Sequence, residues 1–251
     1  MEEKNFKLTI SFLGKDFYGW QKQKDKRTVQ GEVENALKKI FNEDIKIIGC
    51  GRTDSKVSGI NYVANVKIKT KLSPLNIKNA LNSYLPPSIY IKEVEEVPLN
   101  FHSRYSVKRK TYRYVISLKK TPFLVDLAYF VEDKIDIEKM KKAAKLFLGI
   151  HDFKSFQSSG SNIRNTVREI YKIDIKRKNF FIDEDVDLII IDIEGSGFLY
   201  KMARNIIGCL IYAGKGKIKI EDIKEIIEKK DRRFAPPPVP ASGLYFKDGK
   251  Y

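Results

Sequence analysis

Twice along this chain the apolar residues change their spacing from every second position to every third or fourth, and this change restricts the fold more than any other feature. FKLTISFLG (Phe6 to Gly14) alternates apolar and polar positions with β-branched content, as a half-buried strand does. TVQGEVENALKKIF then sets Val29, Val33, Ala36, Leu37 and Ile40 along one helical face. DIKIIGC and NYVANVKIKT predict two further strands. SPLNIKNALNSYL predicts a helix with Ser73 as its cap and Pro74 at its first position, ended by Pro86-Pro87, and IYIKEVEEV alternates again. The second half repeats the order loosely. KTYRYVISL reads as a strand and DIEKMKKAAKLFLGI as a helix. TVREIYKIDIKRK and VDLIIIDIEG read as a strand pair. FLYKMARNIIGCLIYAG reads as a helix with Leu199, Met202, Ala203, Ile206, Ile207 and Leu210 on one side. IEDIKEIIEKK is a last helix, followed by the loop APPPVPASG and a final strand, GLYFK. The expected class is α+β in two halves joined near Asn100 to Lys110, with domains at 1–105 and 106–251.

The chain has 251 residues, enough to bury a full core. Lys+Arg 48 against Asp+Glu 32 gives a formal net charge of +16, a field that attracts polyanions and makes nucleic acid the leading partner class; the competing reading is lysines spread over ordinary solvated faces. No stretch approaches the length of an apolar membrane span. The N-terminal MEEKNFKLTI lacks a signal-peptide plan, and Cys50 and Cys209 fit no metal spacing, so a reducing cytoplasm with buried free thiols is expected.

Several chemistries lack their residues. GCLIYAGKGK has Ala213 where a phosphate loop needs its second glycine, and Gly216 where it needs a serine or threonine. Asp183, Asp185, Asp187 and Glu194 stand at calcium-loop offsets, but Leu188 occupies the glycine position. GSGFLY lacks the third glycine of a dinucleotide fingerprint, two histidines argue against a histidine metal centre, and no nucleophile elbow is present.

Three features carry positive chemistry. FHSRYSVKRKTYRYVISL interleaves Phe101, Tyr105, Tyr112 and Tyr114 with Arg104, Lys108, Arg109, Lys110 and Arg113, a mixture that stacks on bases and contacts phosphates. The competing reading is a strand with Tyr112 and Tyr114 on one face and charges on the other. SSGSNIRNTVREIYK adds Arg164 and Arg168 in a polar, glycine-bearing loop. In GCGRTDSKVSG (49 to 59), Asp54 follows the apolar run of Ile45, Ile47 and Ile48; it is open to three roles, as turn former, ion-pair partner or reactive carboxylate. Arg204, among Met202, Ala203, Ile206 and Ile207, calls for a carboxylate if it is partly buried, and Asp54 is a candidate; the alternative is a surface arginine snorkelling from its helix.

In order, ISFLGKDFYGWQKQ with TVQGEVENAL, GCGRTDSKVSG, FHSRYSVKRKTYRYVI, FLYKMARNIIG and PASGLYF resemble the TruA family of tRNA pseudouridine synthases nearly end to end. The resemblance implies two ferredoxin-like or RNA-recognition-like α+β halves, the pseudouridine synthase fold, with sheets joined around a central basic cleft, and a homodimer. The 1–105 domain would carry the catalytic loop and the 106–251 domain would complete the cleft. It implies uridine isomerisation in the tRNA anticodon stem-loop without cofactor or metal. It assigns Asp54 as nucleophile, Arg204 as its ion-pair partner, Tyr112 to stacking on the uracil and Arg52 to extruding the nucleotide. RNA contacts are expected from Phe101, His102, Ser103, Arg104, Tyr105 and Arg164. Attack at C6 of the ring, attack at C1′ of the ribose and a base role for Asp54 all stay open. The runner-up functions are a paralogous synthase for another structured RNA and a catalytically silent RNA-binding protein. The family usually reads GRTDAGVHA, whereas Ser55, Lys56, Ser58 and Gly59 stand here in place of Ala, Gly, His and Ala, and the APPPVPASG loop is richer in proline.

Overall fold

The computed structural model of the chain describes residues 2–132, 134–161 and 163–251. In chain order the elements are β1 (Glu3–Phe12), α1 (Val29–Phe41), β2 (Ile48–Gly49), β3 (Ser58–Lys69), α2 (Pro74–Tyr84), β4 (Ile89–Val97), β5 (Arg109–Ser117), β6 (Tyr129–Phe130), α3 (Ile137–Lys145), β7 (Gly149–Asp152), β8 (Val167–Phe180), β9 (Asp183–Gly195), α4 (Met202–Gly214), α5 (Asp222–Lys229) and β10 (Leu244–Lys250). They form two compact units, one of Met1–Lys108 with Tyr245–Tyr251 and one of Arg109–Leu244.

In the first unit β1 lies between β4 and β3, antiparallel to both, and β2 adds to the far edge of β3. This strand order, 4-1-3-2 with one helix after β1 and one after β3, is the ferredoxin-like arrangement. Phe6, Leu8, Ile10 and Phe12 of β1 are buried at alternate positions, and Val29, Val33, Ala36 and Leu37 of α1 are buried at helical spacing, so the two periods in the sequence become the two layers of one core. Both helices start where their caps stand: Thr28 Oγ1 accepts the Gly31 N–H at 3.2 Å and Ser73 Oγ accepts the Asn76 N–H at 3.2 Å. β10 runs parallel to β3 through Tyr245 and Phe246, opposite Ser58 and Gly59.

The strand expected over DIKIIGC is shorter than predicted: β2 is Ile48 and Gly49, extended toward β3 by one bond from the Cys50 N–H to the Val63 carbonyl. The residues before them are claimed by α1 side chains. Glu34, buried in α1, accepts the Ile47 N–H at 3.3 Å, and Gln30 Nε2 donates to the Ile47 carbonyl at 3.2 Å, which takes that peptide out of any ladder.

The second unit has the order β5-β9-β8-β7, antiparallel throughout, with β6 parallel to β5. β8 and β9 form the expected hairpin, in which Ile173 faces Ile193 and Ile175 faces Ile191. α4 is buried nearly all round, including Met202, Ala203, Ile206, Ile207 and Leu210 as expected. Two helices are shorter than the sequence suggests. α3 stops at Lys145, and Gly149, at φ +90°, turns the chain so that Gly149–Asp152 pairs with β8. α4 starts at Met202, after Lys201 at φ +57°, so Phe198 to Tyr200 belong to the preceding loop. Cys50 and Cys209 are both buried and unbridged. Among the described residues no helix is long and apolar enough to cross a membrane.

Candidate active site

The first unit carries Asp54 on the connection between β2 and β3. The root of that connection is aromatic. Trp20 stacks on Tyr62 with centroids 4.2 Å apart, and Phe12 meets Tyr62 edge-on at 5.6 Å. The Tyr62 hydroxyl accepts the Gly51 N–H at 3.3 Å and donates to the Gly51 carbonyl, and the Cys50 N–H donates to the Val63 carbonyl at 2.9 Å. Beyond this root the Val57 N–H donates to the Asp54 carbonyl at 3.2 Å and closes a tight turn, with Lys56 in the left-handed region at φ +68°.

The turn is gripped from behind by the segment that precedes α1. The Phe17 carbonyl accepts from the Lys56 N–H at 3.2 Å and the Ser55 hydroxyl at 3.4 Å, and the Gly14 N–H donates to the buried Ser58 hydroxyl at 2.9 Å. Two glycines allow the approach. A Cβ on Gly14 would stand 2.3 Å from the Val57 carbonyl carbon and oxygen. One on Gly19, itself at φ +85°, would stand 2.4 Å from the Thr53 carbonyl oxygen. Asp54 is therefore half-buried on a backbone with little freedom, Arg52 beside it is exposed, and Thr53 Oγ1 is buried without a hydrogen-bond partner among the described residues. Sequence reasoning assigned Gly14 and Gly19 no role and met Ser58 only as a departure from the family's loop; the signal for the two glycines was there in FLGKDFYGW.

The predicted RNA-contact run lies in a turn of the same unit, and the structure divides it. Ser103 is fully buried: its hydroxyl donates to the Ile48 carbonyl at 2.6 Å, its N–H to Asn65 Oδ1 at 2.9 Å, and its carbonyl accepts from the Tyr251 hydroxyl at 2.9 Å. Ser103, expected to contact RNA, thus has its polar groups engaged in holding the turn and is 0% exposed. Phe101 is half-buried against the Tyr251 ring at 5.2 Å. His102 is half-buried, and its Nδ1 accepts the N–H groups of Arg104 and Tyr105 at 3.2 and 3.4 Å. Tyr105 and Arg104 face solvent, with Tyr105 77% exposed, its ring 4.3 Å from His102 and the Arg104 guanidinium 5.8 Å above it.

The second unit carries Tyr112, Arg164 and Arg204. Tyr112 and Tyr114 share one face of β5, opposite Ile193 and Ile191. The two arginines of the same strand are committed: Asp192 binds Arg113 through two contacts of 2.8 Å, and Glu194 binds Arg109 at 3.0 Å. The strand is thus two-faced, with Arg109 and Arg113 paired to acids on one side and Tyr112, half-buried, on the other. Phe198 meets the Tyr112 ring edge-on at 5.0 Å and 83°, which fixes the plane of that ring. Arg204 sits in the first turn of α4, half-buried, with Nε donating to the Val239 carbonyl at 2.8 Å while the Val239 N–H donates back to the Arg204 carbonyl at 3.3 Å. Arg232 clamps the same proline-rich loop through the Ala235 carbonyl at 2.6 Å and the Pro236 carbonyl at 2.8 Å, and also reaches the buried Asn205 at 3.0 Å. Burial first, then Tyr129, pushes the Tyr114 phenol above its ordinary range against the opposing pull of Arg204, so Arg204 lies within electrostatic reach of Tyr114. Arg164 is exposed in the polar loop ahead of β8; Asn162 of that loop lies outside the described residues. Arg168, where the expected polar loop and the expected strand TVREIYKIDIKRK overlap, is the second residue of β8. No group of three histidine, cysteine or acidic side chains able to hold a metal occurs among the described residues.

Compared with known families, the chain matches the one described as tRNA pseudouridine synthase over residues 8–106 and 143–251. Arg52, Asp54 and Arg204 fall inside the matched residues and Tyr112 falls between them. The chain is 42% identical to "tRNA pseudouridine synthase A" of Caldicellulosiruptor bescii, over 99% of this chain and 100% of the relative. It is 39% identical to the protein of the same name from Thermoanaerobacter sp., over 96% of this chain and 97% of the relative. It is 43% identical to "tRNA pseudouridine synthase A 2" of Clostridium perfringens, again over 96% and 97%.

Proposed function

The chain belongs to the tRNA pseudouridine synthase family, and from that premise we propose that it isomerises uridine to pseudouridine on the 3′ side of the tRNA anticodon stem-loop, as a homodimer in the cytoplasm. The observation that carries the reading is likeness over the whole length, at about two residues in five, to proteins named for this reaction. The net charge of +16 supports a polyanionic substrate.

The reaction breaks the bond from uracil N1 to ribose C1′, turns the base, joins C5 to C1′, releases the C5 proton to solvent and leaves a proton from solvent on N1, so that the product is an isomer of the substrate. It asks for a carboxylate at a fixed position, a flat apolar platform and a cation near the carboxylate. Asp54 is the proposed nucleophile, and the braced turn beneath it supports that role, since a reacting group held from behind loses little freedom on meeting its substrate. Tyr112 is the proposed platform for the uracil, supported by the edge contact from Phe198. Arg204 is the proposed ion-pair partner of Asp54, and its tether to the Val239 carbonyl supports a fixed orientation. Exposed Arg52 is proposed to extrude the nucleotide, with Arg104, Tyr105 and Arg164 on the RNA backbone.

Incubation of an unmodified tRNA transcript with the purified protein, followed by single-nucleotide pseudouridine mapping, tests the substrate. New pseudouridine confined to the 3′ side of the anticodon stem-loop is the expected result. Pseudouridine elsewhere in the tRNA, or only in another RNA when total RNA is supplied, would refute the proposed site.

A further inference from the structure

The arginines of the second unit's sheet differ in how their charge is answered. Arg109 has Glu194 at 3.0 Å, Arg113 has Asp192 at 2.8 Å and Arg177 has Asp187. Arg168 is half-buried at the start of β8, and its Nη1 donates only to carbonyl oxygens, those of Asn165 at 3.1 Å and Val167 at 2.6 Å. Among the described residues no acid pairs with it, and its Nε and Nη2 have no partner. The nearby acids are spoken for: Asp152 holds Lys230 at 3.2 Å, Glu194 holds Arg109, and Glu169 hydrogen-bonds Tyr171. A guanidinium partly withdrawn from water without a counter-charge is costly, and a fold that keeps one has an anion to gain.

Its position says which anion. A register shift in the β8/β9 ladder between Ile170 and Lys172 marks a bulge, a device that re-aims the side chains beside it. The loop leaving β9 is locked to the same stretch: the Ser196 N–H donates to the Glu169 carbonyl at 2.9 Å, and the Glu169 N–H donates to the Ser196 hydroxyl at 3.1 Å. Gly197 of that loop lies against the Arg168 side chain: a Cβ there would stand in ordinary contact, 3.6 Å from Nε and 3.8 Å from Cδ. The next residue is Phe198, whose ring braces Tyr112 at 5.0 Å. The uncompensated fork therefore lies at the rim of the aromatic platform.

We infer that Arg168 is a substrate-positioning residue, whose guanidinium takes a phosphate of the RNA strand next to the nucleotide seated on Tyr112. This rests on the reading of the chain as a tRNA pseudouridine synthase. Burial depresses the Arg168 pKa from its ordinary value, which agrees with a charge short of compensation in the free protein. Arg164, four residues earlier and exposed, shares the charge but not the fixed placement.

The test compares wild type with Arg168→Ala, Arg168→Lys and Arg177→Ala on an unmodified tRNA transcript, each variant first checked for a native thermal transition. One salt-dependent phosphate contact contributes about one unit to the slope of log affinity against log salt, and a charge-assisted hydrogen bond about tenfold or more in affinity. Arg168→Ala is expected to lose at least about tenfold in kcat/KM and about one unit of slope. Arg168→Lys should keep the slope and recover part of the rate, while Arg177→Ala, already neutralised by Asp187, should change neither. A scan of single neutral methylphosphonates through the anticodon stem-loop should find one position that weakens wild type and leaves Arg168→Ala indifferent. If wild type isomerises uridine and Arg168→Ala matches it in rate, slope and methylphosphonate profile, the inference falls alone. If wild type neither isomerises nor binds tRNA, the reading beneath it falls and takes the inference with it.

Discussion

Replacing Gly19 by alanine tests whether the turn bearing Asp54 is held in place from behind. The new methyl group would stand 2.4 Å from the Thr53 carbonyl oxygen and 3.1 Å from the Asp54 carbonyl carbon, where ordinary contact begins at 3.4 Å. Backbone must therefore move by about an ångström at Thr53, next to Asp54, the proposed nucleophile. Gly19 also sits at φ +85°, where an L residue costs about 1–2 kcal/mol. Overpacking against backbone adds about 1–3 kcal/mol, so a total loss of about 2–5 kcal/mol is expected. A misplacement of about 1 Å costs on the order of 10²-fold in rate. Gly149→Ala separates strain from collision, since Gly149 has φ +90° and nothing within 4 Å of its Cβ position. Urea unfolding and single-turnover pseudouridine formation would be measured for both. Gly149→Ala should lose only the strain and keep its rate; Gly19→Ala should lose more stability and most of its rate. Equal stabilities for the two variants, with Gly19→Ala turning over at the wild-type rate, would refute the claim that the turn is rigidly braced.

Lys56 occupies the left-handed region at φ +68°, so Lys56→Gly should stabilise the protein by up to about 1 kcal/mol in urea unfolding. Ser103→Ala should destabilise by about 1–3 kcal/mol through the orphaned Ile48 carbonyl while leaving tRNA affinity unchanged, and a selective loss of affinity would restore Ser103 as a contact. Burial pushes Asp152 up, but hydrogen bonds from Thr166, Lys230 and the Lys154 N–H together outweigh it and hold its carboxyl below the ordinary 3.8. A depressed folded-state pKa contributes stability that is present above the unfolded value and lost as pH falls through the folded one. Asp152→Asn should therefore cost less than about 1 kcal/mol near pH 6 and progressively less as the pH falls below 3.8, read as converging urea midpoints. Affinity for tRNA should fall steeply and linearly on a log–log plot against salt, and a flat response would refute a phosphate-driven interface.

How far the sequence could be read depended on whether a signal was local. β4 is the span that alternation predicted, and α2 begins at the serine and proline that cap it, because both signals are carried by neighbouring residues. DIKIIGC reads as a strand by composition, yet Glu34 and Gln30, more than ten residues earlier, take its backbone partners. LFLGI continues the helical period of α3, but Gly149 can adopt a positive φ and the next residues find a strand partner in β8. The same division runs through the candidate site. Asp54, Tyr112 and Arg204 stand out only within ordered blocks that resemble a family, since a carboxylate in a turn or an arginine in a helix has several ordinary uses. The part Ser103 plays in holding its turn was not legible, because its partners, Ile48 and Asn65, come from other strands. Arg168 looked equivalent to Arg164 until the acids around it could each be assigned to another cation or hydroxyl.

The central claim is that this chain isomerises uridine in tRNA through Asp54. Tritium release from tRNA carrying 5-tritiated uridine, compared between wild type and Asp54→Asn at equal tRNA binding, tests it most directly. Release by wild type that vanishes in Asp54→Asn, with affinity preserved, is the expected result. Release at equal rates from both proteins, or binding without release from wild type, would contradict it.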